Sequence, residues 1–281
     1  MQGWVQVAAL VLGTLGIVAN VLLMVAWWRT REGRHRLNLQ MVGAIAGLDF
    51  LTALLVVFKN IMSLVMGNQE LLDTAWFCPF FGTPLLVLTC FSIVLISVMS
   101  MDRYCLVVHR FGISCLWGWI FTSVIGAIPT LILISNTAIN GLKPEPTLSY
   151  CRPLGPGLLI TFSRYLATCL ILFGLIVIAF CYISIYNTCR KITAIHLTMP
   201  GRYLVILLLY QFCWGPKFIT SLWELFDEPT TIPNSLVTLG MLSIIMLLVV
   251  NPFLVFTLQS TLRQEVNTMF CYKKSSPADV F

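Results

Sequence analysis

The chain has 281 residues, of which 58% are hydrophobic and only 10% are charged, and its formal net charge is +6. A soluble domain has about 25% charged residues, so this composition excludes an ordinary water-soluble protein and indicates one that lies in a membrane. The mean hydropathy of +0.91 agrees with this interpretation.

Seven long apolar runs predict seven membrane-spanning helices, because a helix needs roughly 20 mostly apolar residues to cross the hydrocarbon. In chain order they lie at about 4–28, 37–66, 77–108, 115–135, 158–187, 202–225 and 232–258. The first run opens after three residues without a basic leader, so we expect a retained anchor and no large external domain before it. We therefore expect an all-α membrane protein, a seven-helix bundle that forms one domain over residues 1–281.

The basic residues predict the orientation, because connections rich in Lys and Arg stay in the cytoplasm. Twelve of the seventeen Lys and Arg lie on one side of a seven-pass threading, beginning with "RTREGRHR" after the first run. The opposite connections instead carry the acidic residues Glu70, Asp73, Glu145, Asp227 and Glu228. This threading puts the amino terminus outside and the carboxyl terminus inside. The positive net charge then reflects membrane topology, and we expect no nucleic-acid partner.

An acid and an arginine end the third run, in "FSIVLISVMSMDRYCLVVHR". From Cys78 to Arg103 the chain spans 25 residues, or roughly 37 Å of helix at about 1.5 Å per residue, which crosses a membrane. Arg103 therefore lies at the cytoplasmic end, where it can pair with Asp102 or contact a protein from the cytosol.

The motifs of the seven runs together resemble the rhodopsin-like (class A) G-protein-coupled receptor family. The residues that carry the resemblance are Asn20, Asp49, Trp76 and Cys78, the "DRY" of Asp102, Arg103 and Tyr104, Trp119, Pro129, Tyr182, the "CWGP" of Cys213, Trp214 and Pro216, and Asn251 and Pro252 in "NPFLVF". Their order, spacing and membrane depth agree with the family along all seven helices. The resemblance implies a plasma-membrane receptor that binds an extracellular ligand in its outer half. It also implies that the receptor promotes nucleotide exchange on a cytoplasmic heterotrimeric G protein.

The resemblance also implies roles for individual residues. It assigns G-protein coupling to Asp102, Arg103, Tyr104 and Tyr182, and an activation switch to Trp214, Pro216, Asn251, Pro252 and Phe256. Pro216 and Pro252 each lack an amide hydrogen, so we expect kinks in the sixth and seventh helices.

A polar core is expected around Asp49, because an acid in hydrocarbon should face inward, toward Asn20, Ser92 or Asn251. The family binds a sodium ion with this acid, and Asp49, Ser92, Trp214 and Asn251 match that site. Leu247 and Leu248 stand where many relatives have polar ligands. Two interpretations therefore remain: a sodium site, or a protonated, hydrogen-bonded Asp49 without an ion. We expect no other metal, because the cysteines and histidines lack metal-ligand spacing.

Two of the ten cysteines, Cys78 and Cys151, fall in or beside external segments, where disulfides persist. A bridge between them would hold the loop before the fifth helix over the mouth of the bundle; the alternative is two free thiols. The tail "STLRQEVNTMFCYKK" has apolar residues at helical spacing and predicts a short amphipathic helix on the membrane at about 260–271. Cys271 is a candidate for palmitoylation, with an ordinary free thiol as the alternative.

Three residues depart from the family pattern. Phe256 replaces the tyrosine of "NPxxY", and a lost buried hydrogen bond of about 0.5–1.5 kcal/mol should disfavour the active state. Gly174 replaces a proline of the fifth helix. His196 stands where many relatives have an acid that faces the arginine, so we expect Arg103 to be held mainly by Asp102.

The expected ligand-binding residues are Leu85, Lys59, Lys217 and Trp214. Leu85 replaces the acid of amine receptors, and Ile245 replaces the lysine that holds retinal in opsins, so we expect neither an amine ligand nor retinal. Lys217 lies nearly one helical turn beyond Trp214 and on the same face. Intramembrane lysines indicate function, so we predict an anionic or carbonyl-bearing ligand, with Arg164 and Arg152 nearby. Snorkelling of the lysines, or pairing with Glu224, is the alternative.

Several classes of ligand and function remain open from the sequence. The ligand is a small molecule, a lipid or a short peptide. A receptor-like protein that has lost G-protein coupling, acting as a decoy or dimer partner, is the main alternative function. A transporter is less favoured, because neither inverted repeats nor a polar lane across the membrane is visible. We expect no enzymatic activity.

Overall fold

The computed structural model describes residues 2–30, 36–67, 76–139, 142–144, 151–153, 157–192, 198–226 and 232–258, together with Leu262 and Val266. Within these residues, seven helices are long and apolar enough to cross a membrane. They are α1 (Gln2–Arg29), α2 (Leu37–Met66), α3 (Thr83–Tyr104), α4 (Cys115–Ala138), α5 (Leu158–Ile192), α6 (Thr198–Phe226) and α7 (Asn234–Leu258). The prediction of a seven-helix membrane bundle is therefore confirmed.

Helix α3 is extended at both ends by a π-helical turn. The turns cover Cys78–Gly82 and Cys105–His109, so the whole apolar span runs from Cys78 to His109. This span agrees with the predicted 77–108. Two other helices continue beyond the predicted ends, α4 to Ala138 and α5 to Ile192.

Helix α4 continues past its predicted end because Ser135 and Thr137 are satisfied inside the helix, although both side-chain polar atoms of the buried Asn136 have no hydrogen-bond partner among the described residues. The hydroxyls of Ser135 and Thr137 donate to the carbonyls of Leu131 and Leu133 at 2.9 Å each. Hydroxyl groups that bond back to the preceding turn cost little in a membrane helix. A run of Ser, Asn and Thr therefore does not end the helix where the hydropathy falls.

The helices pack around α3. Helix α3 contacts α2, α4 and α5, while α6 lies against α5 and α7, and α1 lies against α2 and α7. The main core is the buried cluster around α3, which includes Ile96, Ile178, Tyr182, Tyr210 and Trp214. Side chains of α3, α5 and α6 therefore share one core.

A short antiparallel strand pair connects α4 to α5. Strand β1 (Leu142–Pro144) pairs with β2 (Cys151–Pro153), and a disulfide joins Cys151 to Cys78 at the start of the α3 span. The predicted bridge is confirmed, whereas the strand pair was not expected, because three residues are too short for a strand pattern. We call this end of the bundle the disulfide end and the opposite end the Arg103 end.

Exposed aromatic rings lie near both ends of the bundle. Trp4, Trp76 and Phe80 are exposed at the disulfide end, and Trp28, Phe111 and Trp117 are exposed at the Arg103 end. Rings of this kind concentrate at the two membrane–water interfaces. Their placement agrees with a multi-pass membrane protein whose apolar helix surfaces face lipid between the two belts.

The predicted amphipathic helix at about 260–271 lies mostly outside the described residues. Leu262 and Val266 are helical, Leu262 is fully buried in the main core, and Val266 packs against the same cluster. Their spacing of four residues puts both on one face. Met269 and Cys271, and also His196, lie outside the described residues, so the predictions about them remain predictions.

Candidate functional site

A cavity of about 80 Å³ lies among α3, α4, α5 and α6, beneath strand β2. Helix α6 lines it with Trp214, Lys217, Ser221 and Glu224, which recur at steps of three or four residues and so share one face. The opposing wall of α3 contributes Leu86, Thr89, Cys90 and Ile93. Cys151 is fully buried and also lines the cavity, so the disulfide holds β2 over its outer side.

Charged side chains occupy one part of this mostly apolar cavity. Lys217 and Arg164 supply two cations, and Glu224, only 8% exposed, supplies one acid. The Nε of Arg164 is buried and has no hydrogen-bond partner among the described residues. A buried donor without an acceptor costs about 1–3 kcal/mol, so an acceptor that reached Arg164 would stabilise the protein. The cavity wall thus contains two cationic side chains and one acidic side chain.

Only two of the four predicted ligand-binding residues line this cavity. Trp214 and Lys217 do, as expected from their spacing on α6. Leu85 instead packs against a cluster that includes Ile245 and Leu248, on the other side of α3. Lys59 is buried in α2 and does not line the cavity. The side chain of Arg152 lies outside the described part of the chain.

Sequence reasoning missed Ser221 and did not assign Glu224 to the cavity wall. Both continue the stripe begun by Trp214 and Lys217, at seven and ten residues beyond Trp214. Extending the helical spacing by two more turns would have found them. Ser163 and Thr168 of α5 also line the cavity. They could not have been found this way, because their orientation depends on how α5 packs.

The polar core forms around Asp49, as expected. The amide of Asn251 donates to the Asp49 carboxylate at 2.7 Å, and the hydroxyl of Ser92 makes a second hydrogen bond to it. These contacts join α2, α3 and α7 at one buried point.

Asn20 does not join this group, which corrects part of the expectation for the polar core. Its amide donates to the carbonyls of Gly16 at 2.9 Å and of Leu248 at 2.8 Å. Leu248 lies four residues before Pro252, and a proline cannot donate to the carbonyl four residues earlier. Asn20 therefore satisfies a carbonyl that Pro252 leaves unbonded, and so connects α1 to the interrupted ladder of α7.

Oxygen atoms around Asp49 fit a sodium ion in part. The Asp49 carboxylate, the Ser92 hydroxyl and the Asn251 Oδ1 are oxygen donors of the type that hard cations take. The Asn251 Oδ1 is buried and has no hydrogen-bond partner within the described ranges. Leu247 and Leu248 supply only apolar surface to the core. The ion would neutralise the Asp49 carboxylate and coordinate the Asn251 Oδ1.

We predict that sodium chloride raises the melting temperature of the purified chain relative to an equal concentration of choline chloride, and that Asp49→Asn abolishes the difference. Thermal unfolding in detergent measures both. Equal melting temperatures in the two salts would favour the alternative, a protonated Asp49 without an ion.

The residues of the predicted switch lie at interruptions of α6 and α7. Pro216 and Pro252 are inside these helices, and Trp214, two residues before Pro216, is 1% exposed within the main core. Phe256 is partly buried against the same core. A bulky buried ring beside a missing hydrogen bond is a place where helix geometry can change at low cost.

At the Arg103 end, the Asp102 carboxylate interacts with both the following turn and Arg103. The Asp102 Oδ1 accepts the backbone N–H of Ile113 at 3.0 Å, because the chain turns back under α3 through Arg110, whose φ is 61°. Arg103 is 8% exposed, and its Nε and Nη2 have no hydrogen-bond partner among the described residues. Asp102 also attracts Arg103 electrostatically, so the prediction that Asp102 mainly holds Arg103 stays a prediction.

The other predicted coupling residues surround Arg103. Tyr104 shares a 3.1 Å hydrogen bond with His109, and their rings meet edge to face. Tyr182 is buried in the main core, where Tyr210 interacts electrostatically with both Tyr182 and Arg103. This end thus contains a buried arginine that interacts with Tyr210 of α6, which in turn interacts with Tyr182 of α5.

A seven-helix bundle with a small cavity toward one end and a buried arginine at the other agrees with the architecture of a membrane receptor. The family model described as "7 transmembrane receptor (rhodopsin family)" matches residues 19–255 of the 281. The chain therefore belongs to the rhodopsin family of seven-transmembrane receptors, which implies signalling of the G-protein-coupled class. A comparison with curated proteins finds no match.

Proposed function

We propose that this protein is a non-enzymatic receptor of the plasma membrane that binds an extracellular ligand in the cavity and promotes nucleotide exchange on a heterotrimeric G protein at the Arg103 end. The proposal rests mainly on the residues that α6 contains and on the two ends of the bundle that it connects. This helix lines the cavity with Trp214 and Lys217, contains Pro216 between them, and extends to the Arg103 end.

The proposed orientation puts the Arg103 end in the cytoplasm and the amino terminus outside. Exposed basic residues support it: Arg29, Arg36, Arg110, Arg190 and Lys191 all lie at the Arg103 end. Short connections rich in Lys and Arg stay on the cytoplasmic side. The disulfide supports the same orientation, because disulfides persist outside the cell.

The proposed mechanism is a population shift. A ligand that binds more tightly when α6 swings outward about Pro216 favours that state. The ratio of the ligand's affinities for the two states limits how far the equilibrium shifts. The swing separates α6 from α3 and α5 and exposes Arg103 and Tyr182 to the G protein. Because Arg103 makes no hydrogen bond through Nε or Nη2 in the closed bundle, a partner that supplies acceptors gains those bonds without first breaking others.

The proposed ligand carries an anionic or carbonyl group that contacts Lys217 and Arg164. Lys217→Met should reduce the potency of a carboxylate agonist at least about tenfold, which corresponds to about 1.4 kcal/mol of lost binding free energy. Agonist-dependent nucleotide exchange, measured on a panel of purified G proteins with a library of small carboxylates, tests both the coupling and the ligand.

The matched control is Lys59→Met, which removes a buried lysine that does not line the cavity. Equal potency losses in the two variants, or no loss in Lys217→Met, would contradict the assignment of the ligand site.

A second candidate function is a receptor-like protein that binds its ligand without coupling, as a decoy or dimer partner. It is favoured by Phe256 and Gly174, which depart from the family pattern, and by His196 in the sequence. Ligand binding to the purified chain, combined with no exchange on any G protein of the panel, would support this function over the first.

A further inference from the structure

A narrow crevice adjoins the ligand cavity on its lipid-facing side. It lies among α3, α4 and α5, encloses about 10 Å³, and shares Ile93 and Leu170 with the cavity wall. Two of its other lining residues, Phe121 of α4 and Phe173 of α5, are exposed on the outer surface of the bundle. The crevice therefore lies between the wall of the cavity and the outer, lipid-facing surface of the bundle.

Among the adjacent helix pairs that border the cavity on its lipid-facing side, α4 and α5 pack against each other least extensively. The cavity reaches into this wall through Pro129, Ile132, Leu166, Ala167 and Leu170. Helix α5 packs much less extensively against α4 than against α3 or α6. Cys151 and its disulfide cover the outer side of the cavity. The easier path into the cavity thus passes sideways between α4 and α5.

Gly174 contributes to this path. A Cβ at this position would lie 2.6 Å from Ile93 Cγ1 and 3.3 Å from Ser97 Oγ, both in the crevice lining. Glycine therefore lets α5 approach α3 closely without placing a side chain in the crevice. The departure from the proline of the family pattern has a structural consequence where the cavity meets the lipid.

We propose that the ligand is a single-chain lipid carboxylate whose headgroup lies with Lys217 and Arg164 and whose hydrocarbon chain leaves through the α4–α5 crevice into the bilayer. This inference rests on the proposed anionic ligand and selects a lipid among the ligand classes. A cavity of about 80 Å³ holds the equivalent of a few water molecules. It has room for a carboxylate and a few methylenes, so a longer chain must leave through an apolar opening.

The crevice lining suits such a chain. Val94, Ile125, Leu170 and Phe173 supply apolar surface, and the exposed rings of Phe121 and Phe173 flank the opening toward lipid. The crevice is about as large as one water molecule needs, so these side chains must rotate apart to admit a chain. Cations placed this deep in a membrane protein favour an anionic partner, which the headgroup supplies.

The test compares two probes, dodecanoate and butanoate, on the purified full chain in detergent. Binding of tritiated dodecanoate is measured directly, and binding of butanoate is measured by competition. Ile125→Trp fills the crevice without touching the cavity lining, and Ile128→Trp is its control, an exposed lipid-facing position on the same helix. We expect Ile125→Trp to weaken dodecanoate at least tenfold and butanoate less than twofold, and Ile128→Trp to change neither.

Unchanged dodecanoate affinity in Ile125→Trp, or equal loss of both probes with a retained fold, would overturn the lipid path. If Lys217→Met weakens the binding of both probes, the anion site is retained and only the lipid path has failed. If Lys217→Met weakens neither probe, the proposed anion site itself is wrong.

Photolabelling provides a measurement that needs no variant. Dodecanoate with a diazirine at its ω end should label Phe121, Ile125 or Phe173 of the unmodified chain. Labelling confined to helices other than α3, α4 and α5 would overturn the inference.

Discussion

Replacing Cys78 with serine should lower the free energy of unfolding by about 2–5 kcal/mol, because the disulfide closes a long loop in the unfolded chain. The two cysteines are 73 residues apart in the sequence. The same change should weaken ligand binding, because Cys151 lines the cavity and the bridge holds β2 over it. Thermal unfolding in detergent and binding of the carboxylate probe measure the two effects.

Cys169→Ser is the matched control for this variant. Cys169 is a free, exposed cysteine of α5, so its replacement should change neither stability nor binding. The double variant Cys78→Ser/Cys151→Ser should be about as unstable as Cys78→Ser alone, since both remove the same bond. A Cys78→Ser protein as stable as the unmodified chain would show that the bridge does not constrain the fold.

Replacing Arg103 with methionine should separate stability from signalling. The Arg103 guanidinium is buried, and two of its nitrogens have no hydrogen-bond partner among the described residues, at a cost of about 1–3 kcal/mol each. Methionine removes these donors and keeps an unbranched chain of similar length. We expect the melting temperature to rise while agonist-stimulated nucleotide exchange falls to its level without agonist. Residues placed for function at the expense of stability behave in this way.

Arg110→Met is the control for the arginine experiment. Arg110 lies at the same end but is exposed, so its replacement should leave the melting temperature unchanged. A lower melting temperature in Arg103→Met would mean that the arginine stabilises the closed bundle. Retained exchange would remove Arg103 from the coupling site.

The contact between Asp102 and Ile113 shows why a tripeptide motif predicts the position of its residues better than their partners. The apolar run before Arg103 determines that the arginine lies at one end of the bundle. The partner of Asp102 depends instead on the following turn, where Arg110 adopts a left-handed conformation and brings the Ile113 amide to the carboxylate. No periodicity in the sequence marks that backbone contact.

For Asn20, by contrast, a physical reason links the residue to Pro252, which lies more than 200 residues away in the sequence. A proline at position 252 leaves the carbonyl of Leu248 without its helical donor, and a buried amide on a neighbouring helix satisfies it. The sequence shows that some donor is needed in a membrane. Only the packing of α1 against α7 decides that Asn20 is that donor.

The sequence by itself determined the seven spans and the placement of Trp214 and Lys217 on one face, because length, hydropathy and helical spacing are local properties of the chain. It favoured the Cys78–Cys151 disulfide but left two free thiols as the alternative, which the structure decided. Tertiary structure alone decided that Leu85 and Lys59 lie outside the cavity, that Glu224 lies inside it, and that a crevice opens beside Gly174. These features depend on how each helix is rotated and how closely it approaches its neighbours. Uniformly apolar helices do not encode that rotation in their hydrophobic pattern, since lipid and protein interior are equally apolar.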